Sequence, residues 1–567
     1  MLLSLLVAPE FLLPGYAWIR FTALSKRFGI VETLVISFML SVSFASLFTA
    51  GLSLVTSHYL TYAIAGSLGL SLILLVASLR HRDRMESCLP RLNRSMLLVG
   101  MTACVYVAVL AVLFWSSPFY PTTDAFDPVT HAQIVQAISD GLARTTLLHS
   151  NYAVGMHFVA AVLARLGGVD SLTAIRFLLS AVIVVSVFLT FFCARNILGS
   201  DYAYFAVIAS AFIVPADAIH FIKVGTFPNI LSDALVLMIL WLMASYTKQP
   251  SHALGLTLTF LAVTGLFVHS TFLIFLVALW FALPAFHVAD RTHFRNYLNG
   301  LLFATTGLFV LVAVLGFFVS ASFGRLFSGY FAPSFASLPL LLYLQIMVWN
   351  YSVLAGALAT LAIFATVVFT LAKRRNAVWS VFLCIWFCLL AVAACVSPQD
   401  WRFVLLSMVP GAFLLGSSIG WLRQLGSASK NIRWSRSARI LLPLLLCILI
   451  LSGSFVGLLP RVFDPASRTR EEAVVDSMSW LKANDNGESV ASVGLSADYR
   501  YLTTLTGITY VGDFNESANS TLGQARSANF AYVAVAVQSP QFPTFQSSNM
   551  VEQKYRNSIV AIFFIPP

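Results

Sequence analysis

Charged residues are scarce in this sequence of 567 residues. Asp, Glu, Lys and Arg together make up 10% of it, hydrophobic residues make up 59%, and the mean hydropathy is +0.85. This composition excludes a chain built only of water-soluble domains, because the surfaces of such domains need more polar residues. A lipid bilayer is therefore the expected solvent for most of the chain.

Cysteine is scarce as well: there are seven, and none follows Cys447. This excludes a disulfide framework in the C-terminal part of the chain. The first residues also lack the basic stretch of a cleavable signal peptide, and they contain Glu10. We expect them to form a retained first membrane span.

Long hydrophobic runs, in contrast, recur from the N-terminus to about Gly457. A helix that crosses a bilayer needs about 20 such residues. The predicted spans are fourteen, at 2–19, 29–52, 60–79, 96–115, 172–194, 202–219, 229–246, 253–268, 271–287, 298–320, 351–372, 377–396, 404–422 and 440–458. Residues 1–460 are therefore predicted to form a mainly α transmembrane domain.

Residues 461–567 have a different pattern, in which polar and apolar positions alternate and no run is long enough to span a membrane. A helix is predicted at 471–483, and strands at 489–493, 508–511, 530–537 and 559–565. This order predicts a small soluble α/β domain.

The net charge of +11 could suggest a nucleic-acid partner, but the basic residues are not collected on one surface. More than half of the 34 Lys and Arg lie in alternate loops, at 20–27, 80–94, 291–295, 373–375 and 423–439 and at Arg195 and Lys248. By the positive-inside rule these loops are cytoplasmic. We therefore predict a multi-pass protein of the plasma membrane that binds no nucleic acid, with both termini and the C-terminal domain outside the cytoplasm.

On this topology the polar residues that spans should avoid gather in the extracytoplasmic loops. They are Asp124, Asp127, His131, His149 and His157 in loop 116–171, His220 and Lys223 in loop 220–228, His269 in a tight hairpin, and Asp400 with Arg402 before a late span. An active site is therefore expected to open outward.

Loop 116–171 has the pattern of two amphipathic helices at the membrane surface, one beginning near Asp127 and one from about 153 to 166. Asp127 and His131 are four residues apart and share a helix face. This suits a carboxylate that acts as general base beside a supporting histidine. Asp127 can instead cap the helix before Pro128, and Asp124 is an alternative base. The two carboxylates could also hold a divalent cation.

Arg402 lies at the interface between a loop and a span, where its guanidinium can bind a phosphate through two parallel hydrogen bonds. Its alternatives are a membrane anchor or an ion pair with Asp400. His220 and Lys223 could complete a cationic pocket or remain solvated. His269 is either structural or part of the site.

These motifs resemble the GT-C superfamily of polytopic glycosyltransferases, in particular members with extra N-terminal transmembrane helices and an early Pro-Gly. The matching residues are Asp127 with His131, Tyr152-x-x-Gly155-x-His157, Gly225-x-x-Pro228, His269-Ser270, Arg402-Phe403, and a C-terminal part that begins with an acidic helix and Trp480-Leu481. The resemblance covers nearly the whole chain, but each motif is short.

The resemblance implies a polyprenyl-phosphate-linked sugar donor, an acceptor hydroxyl on a glycan, lipid or protein, and inversion at the anomeric carbon. Asp127 or Asp124 would be the catalytic base, and Arg402, Lys223 and His220 would face the leaving phosphate. His131, His157 and His269 would complete the substrate-binding site. The acidic motif is spaced Asp-Ala-Phe-Asp, whereas many members of the superfamily have a closer acidic pair.

Two other classes of function compete with this interpretation. A transporter or flippase of lipid-linked saccharides would be favoured by internal repeats with broken spans, and the sequence has no clear repeat. A membrane scaffold would leave the one-sided gathering of Asp, His and Arg unexplained.

Overall fold

The structure is a computed structural model. It describes residues 3–79, 94–115, 126–149, 153–213, 226–289, 291–319, 378–396, 400–428, 465–484, 489–495, 510–513 and 530–566, together with the shorter pieces 364, 367–368, 499, 502, 508 and 524. Most of this chain is helical, and a single small sheet lies near the C-terminus.

Sixteen α-helices are described up to residue 428. They are α1 (Val7–Phe21), α2 (Ile30–Ser53), α3 (Tyr59–Leu79), α4 (Arg94–Trp115), α5 (Phe126–Ser139), α6 (Ala143–His149), α7 (Gly155–Gly167), α8 (Ser171–Ile197), α9 (Ser200–Ile208), α10 (Phe227–Lys248), α11 (His252–Val268), α12 (Phe272–Phe281), α13 (Leu283–Ala289), α14 (Arg291–Val319), α15 (Val378–Val396) and α16 (Asp400–Ala428).

Among the described residues, five helices are long and apolar enough to cross a membrane: α2, α3, α8, α10 and the segment Phe403–Gly420 of α16. Shorter apolar helices occur in α4, α9, α11, α12 and α15. The predicted span at 271–287 is divided into α12 and α13, and the one at 202–219 begins as α9 and continues as a π-helical turn at Ala209–Ile213. The number of fourteen spans stays a prediction, since several predicted spans lie outside the described residues.

Each of the first three helices packs against the other two. Gly15 of α1 lies against the Ser37 backbone of α2, which leaves no space for a larger side chain, and the Gly15 amide donates a hydrogen bond to Ser41 Oγ (2.9 Å). Glu10 of α1 is buried and lies beside Ser67 of α3, with oxygen distances of 2.6 and 2.7 Å. Close backbone approach and polar pairs are the usual means of joining helices in lipid, where apolar surface gives little driving force.

At one end of the bundle lie Arg27, Glu32, Arg195, Lys248 and Asn296, and we call this the arginine end. Arg195 at the end of α8 pairs with Glu32 at the start of α2. Three of the side chains bond to carbonyl groups at helix ends: Arg27 to Gln249 (2.6 Å), Lys248 to Asn196 (3.0 Å) and Asn296 to Thr247 (3.0 Å). Loops that the charge pattern predicts on one side of the membrane therefore meet in space.

Helices α5 to α7 lie at the opposite end, where α8 and α10 begin and α2 and α11 end. Ser171 at the start of α8 donates a hydrogen bond to Gln136 of α5 (2.9 Å), and Tyr59 at the start of α3 bonds to the Ile138 carbonyl. Helix α7 has 13 residues and is about 20 Å long, which is too short to cross the roughly 30 Å of hydrocarbon. Its bounds match those of the second predicted amphipathic helix, but 11 of its 13 residues are buried inside the protein, so no broad polar face is exposed. Helix α6 was not predicted.

The C-terminal part contains α17 (Pro465–Asn484), β1 (Val490–Val493), β2 (Tyr510–Asp513), β3 (Tyr532–Ala536), α18 (Phe542–Ser547), β4 (Glu552–Arg556) and β5 (Val560–Phe564). The sheet order is β2-β1-β3-β5-β4, with β1 parallel to β2 and β3, and β5 antiparallel to its neighbours. Helix α17 packs on β5 and β4. Strand β4 was missed because it is an exposed edge strand with the polar sequence EQKYR.

Candidate active site

Two predicted site residues meet at the end of the bundle opposite the arginine end. Nδ1 of His131 lies 2.9 Å from Nε2 of His157, and both side chains are buried. His131 is on α5, one turn after Asp127, while His157 is in the first turn of α7. The sequence placed both histidines in one loop, and the structure joins them directly.

The first turn of α7 is held in a narrow space against α2 and α11. A Cβ atom at Gly155 would lie 2.9 Å from the Phe267 carbonyl oxygen, so only glycine fits there. Ser46 of α2 donates a hydrogen bond to the Gly155 carbonyl (2.9 Å), and the rings of Phe158 and Phe267 stack with centroids 6.1 Å apart. The position of His157 is therefore fixed by three neighbouring backbone and ring contacts.

His269 follows α11 directly and lies at the same end, in the predicted tight turn before α12. Its side chain is buried, and Nδ1 lies 2.7 Å from Thr271 Oγ1 and accepts a hydrogen bond from the Thr271 amide (3.2 Å). These bonds stabilise the turn, so one nitrogen of His269 has a structural role. Together His131, His157, Thr226, Phe227 and His269 define what we call the histidine end.

Phe227 begins α10 and brings that helix to the histidine pair, because its ring centroid lies 5.6 Å from that of His131. Pro228 follows in the first turn of α10, where the missing amide hydrogen carries no penalty. The Gly225-to-Pro228 motif therefore ends in a helix start that touches the site, although Gly225 itself lies outside the described residues.

Burial lowers the pKa of the His157 imidazole to about 3, and a hydrogen bond with the Val154 backbone raises it only partly. His157 is therefore neutral at physiological pH. In a hydrogen bond between two imidazole rings, one nitrogen donates its N–H and the other accepts with its lone pair. Only a neutral imidazole has such a lone pair, so at least one of the two histidines must be neutral. A hydrogen bond between neutral His157 and His131 can hold α5 in place.

The polar residues that lie inside the spans were not identified from the sequence. Arg176 of α8 and Asp233 of α10 are buried, about 8 and 9 Å along their helices from the histidine end. Thr226 and Asn229, at the start of α10, are completely buried. A charged residue within an apolar run is the sequence signal that would have identified the first two.

The remaining predicted site residues fall on parts of the chain that are only partly described. The backbone of Asp127 lies in the first turn of α5, after Phe126, so the helix begins before the position that a capping role requires. Arg402 lies in the first turn of α16. The side chains of both, like that of His149, are outside the described residues, as are Asp124, His220 and Lys223 altogether.

Metal binding by Asp124 and Asp127 stays a prediction for the same reason. Within the described ranges, no group of three or more His, Cys, Asp or Glu side chains is arranged to hold a metal ion. The histidine pair therefore supplies at most two of the ligands that a typical site needs.

The fold is similar to that of two solved membrane enzymes, both GT-C glycosyltransferases. ArnT from Cupriavidus metallidurans, in a crystal structure with undecaprenyl phosphate bound, is 12% identical, with a TM-score of 0.55 over 82% of this chain and 97% of ArnT. The Archaeoglobus fulgidus oligosaccharyltransferase, tethered with an acceptor peptide that contains the NVT sequon, is 12% identical, with a TM-score of 0.50 over 78% of this chain and 69% of that enzyme.

At this level of identity the likeness concerns the fold alone. It agrees with the GT-C-like architecture expected from the sequence, and it includes the helical bundle of a membrane protein. No match was found among curated proteins. A family model of unknown function, DUF6541, matches residues 10–408, which include the whole histidine end, and the chain therefore belongs to that family.

Proposed function

We propose that this protein is a membrane glycosyltransferase that moves a sugar from a polyprenyl-phosphate donor to an acceptor hydroxyl on a glycan, lipid or protein. The reaction takes place on the extracytoplasmic face and inverts the anomeric carbon. The observation that carries the proposal is the His131–His157 bond, which attaches α5, the helix of Asp127, to the bundle at the end opposite the cationic loops. The GT-C-like fold supports it.

In the proposed reaction the Asp127 carboxylate accepts the proton of the acceptor hydroxyl. The acceptor oxygen forms a bond to the anomeric carbon from the side opposite the phosphate. The bond from that carbon to the phosphate oxygen breaks, and its electron pair leaves with the polyprenyl phosphate. A base placed in this way contributes about 10² to 10⁴ in rate. Asp124 is the alternative base.

The leaving phosphate carries negative charge at the membrane surface, so cationic side chains stabilise its departure. We assign this role to Arg402, Lys223 and His220. Two unit charges about 4 Å apart interact by roughly 4 kcal/mol at an effective dielectric of 20. The donor has to be anchored in lipid, since soluble nucleotide sugars are not expected outside the cytoplasm.

The His131–His157 pair has a positioning role in this scheme. Because His131 is one turn from Asp127, its bond to His157 fixes the start of α5 relative to α10 and α7. Burial and pairing of the two imidazoles keep α5 in one orientation. A general base such as Asp127 needs a fixed position to accept the proton of the acceptor hydroxyl.

The experiment is a transfer assay with purified protein in lipid nanodiscs, a panel of polyprenyl-phosphate hexoses and pentoses, and a mixture of acceptor glycans, lipids and peptides. We expect a new glycosidic bond and release of polyprenyl phosphate in equal amounts. Cysteine accessibility from each side of intact cells tests the orientation separately. Labelling of the Asp127 region from the cytoplasm alone would overturn the proposal.

A transporter of lipid-linked saccharides is the second candidate, because Arg176 and Asp233 are charged residues buried within spans, a feature of substrate and ion pathways. Proteoliposomes with a labelled lipid-linked sugar in one leaflet separate the two activities. Transport moves the intact lipid to the other leaflet, whereas transfer leaves polyprenyl phosphate behind. Movement of the lipid without a new bond would favour the transporter.

A further inference from the structure

The outer part of α10 carries two polar side chains with no hydrogen-bond partner in the described structure. Both polar atoms of the Asn229 amide and the Thr226 hydroxyl are buried, and none makes a hydrogen bond within the described residues. Both residues are 0% exposed. A buried polar group without a partner destabilises the ligand-free protein, so its presence needs a reason.

Thr226 and Asn229 are three residues apart, and Asp233 follows four residues later, so the three form one stripe along α10. Contacts lower on the same helix give the direction of this stripe. Trp241 faces α8 through its stacking with Phe192, and Met243 faces α14, because a Cβ atom added at Gly300 would lie 2.7 Å from the Met243 sulfur. At 100° per residue the stripe points between these two directions, to the side of α10 that lies between α8 and α14.

The stripe begins next to the proposed reaction site. Phe227, the residue after Thr226, contacts the ring of His131. Thr226, Phe227 and Asn229 therefore belong to one turn of helix at the histidine end. A group bound by Thr226 and Asn229 would lie at the same end of the bundle as α5, the helix of Asp127.

The chemistry of the stripe selects its ligand. An amide and a hydroxyl both donate and accept hydrogen bonds without a formal charge, so neither compensates the charge of a buried anion. Vicinal hydroxyl groups of a neutral sugar match this set, whereas phosphates and carboxylates do not.

We propose that Asn229 and Thr226 form a hydrogen-bonding subsite for hydroxyl groups of an uncharged sugar, supplied by either the donor or the acceptor of the transfer reaction. This inference rests on the proposed function. It gives Asn229 and Thr226 a role in choosing the sugar, and it favours uncharged sugars over those that carry an anionic group.

The test compares Asn229→Leu and Thr226→Val with the wild-type protein, using a polyprenyl-phosphate hexose, its monodeoxy analogues and monodeoxy acceptors. Thr49→Val is the matched control, because Thr49 of α2 is also buried, lies near the same end and has no hydrogen-bond partner among the described residues. We expect Asn229→Leu to lower kcat/KM about 10- to 100-fold. Thr226→Val should lower it a few-fold, and Thr49→Val should leave it within about twofold.

The result that is specific to this subsite is a variant that no longer distinguishes the parent sugar from a deoxy analogue. The wild-type protein should reject one deoxy analogue, and Asn229→Leu should handle that analogue and the parent sugar equally. If the analogue is a donor, the subsite binds the donor sugar; if it is an acceptor, the subsite binds the acceptor sugar. If both Asn229→Leu and Thr226→Val still prefer the parent sugar over the deoxy analogue as strongly as the wild type does, the inference is wrong.

Thermal unfolding supplies a readout that does not depend on turnover. Both variants remove an unpartnered buried group, so each should be at least as stable as the wild type without ligand, and each should gain less stability from the hexose donor. Equal stabilisation of wild type and variants by the donor would contradict the subsite. If the wild type transfers no sugar at all, the proposed function fails; if it transfers and the variants match it, only this inference fails.

Discussion

The two ends of the bundle use polar residues in different ways. At the arginine end, the side chains are partly exposed and bond mainly to carbonyl groups at helix ends, as in Lys248 with Asn196. At the histidine end, His131, His157 and His269 are almost completely buried and bond to other side chains or to a tight turn. Burial of a polar side chain is unfavourable unless it is compensated.

The difference indicates that the polar residues of the arginine end orient the protein in the membrane, whereas those of the histidine end take part in binding or reaction. Exposed cations that cap helices need only be near the interface, and many sequences can satisfy this requirement. Buried imidazoles and an unpartnered amide need specific neighbours, and such groups gather where a protein binds or transforms something. We therefore expect substitutions of the buried histidines and of Asp127 to affect stability or activity strongly, and substitutions at the arginine end to affect both weakly.

The largest effect is expected at Asp127. Asp127→Asn keeps the volume of the side chain but removes the basic oxygen, so kcat should fall by about 10² to 10⁴ while KM changes little. The assay is sugar transfer from the lipid-linked donor, with Asp124→Asn and the double variant in parallel. Full activity of all three variants would show that neither carboxylate is the base.

The next largest effect is expected at His157. His157→Leu removes the partner of His131 within a buried site, so the free energy of unfolding should fall by about 2–4 kcal/mol. Thermal or denaturant unfolding in detergent measures it. His58→Leu is the control, because His58 lies in an exposed turn at the same end. Similar losses for both variants would mean that the histidine pair adds nothing to the fold.

Stability should also depend on pH through His157. Its pKa is lowered to about 3 in the folded protein, so between about pH 6.5 and 3 the unfolded state binds more protons. The contribution of neutral His157 to the free energy of unfolding is fully present above pH 6.5. It is lost on acidification, by about 1.4 kcal/mol per pH unit at most. Unfolding of the wild type and of His157→Gln between pH 7.5 and 5 tests this, and parallel curves would contradict it.

A smaller effect is expected at Gly155. Gly155→Ala places a methyl group against the Phe267 carbonyl, so α7 must shift, at about 1–3 kcal/mol of stability. Gly69→Ala in α3 is the matched control, because nothing lies within 4 Å of the added atom. It should be neutral or slightly stabilising, since alanine favours helix. Equal unfolding temperatures for the two variants would show that the contact is easily relieved.

The smallest effect is expected at the arginine end. Arg195 pairs with Glu32, and the Arg195 side chain is 37% exposed, so their interaction should contribute about 1 kcal/mol or less. A double-mutant cycle with Arg195→Met and Glu32→Gln measures it, and transfer activity should stay within about twofold. A tenfold loss of activity at constant stability would break the distinction between the two ends.

Much of the fold could be predicted because its causes are local. Apolar runs identified α2, α3, α8 and α10 as membrane helices, and the break at His269 separated α11 from α12. Alternation identified four of the five strands near the C-terminus. Strand β4 could not be found in this way, because an exposed edge strand buries no face and so needs no hydrophobic pattern.

The candidate site was predicted only in part. His131 and His157 were named as separate members of one loop, but their 2.9 Å contact depends on how α5 and α7 pack against α2, α10 and α11. Asn229 was missed, because a single amide near the start of a span has no distinctive pattern. The role of Asp127 stays a prediction.

The sequence by itself indicated a lipid solvent for most of the chain, the type of its elements and which of its loops share one end of the bundle, because composition, periodicity and charge act over a few residues. Tertiary structure alone decided which residues touch. Burial of the histidine pair, the fit of Gly155 against Phe267 and the absence of a described partner for Asn229 arise between helices that are distant in sequence. Such contacts depend on packing geometry, which no local pattern encodes.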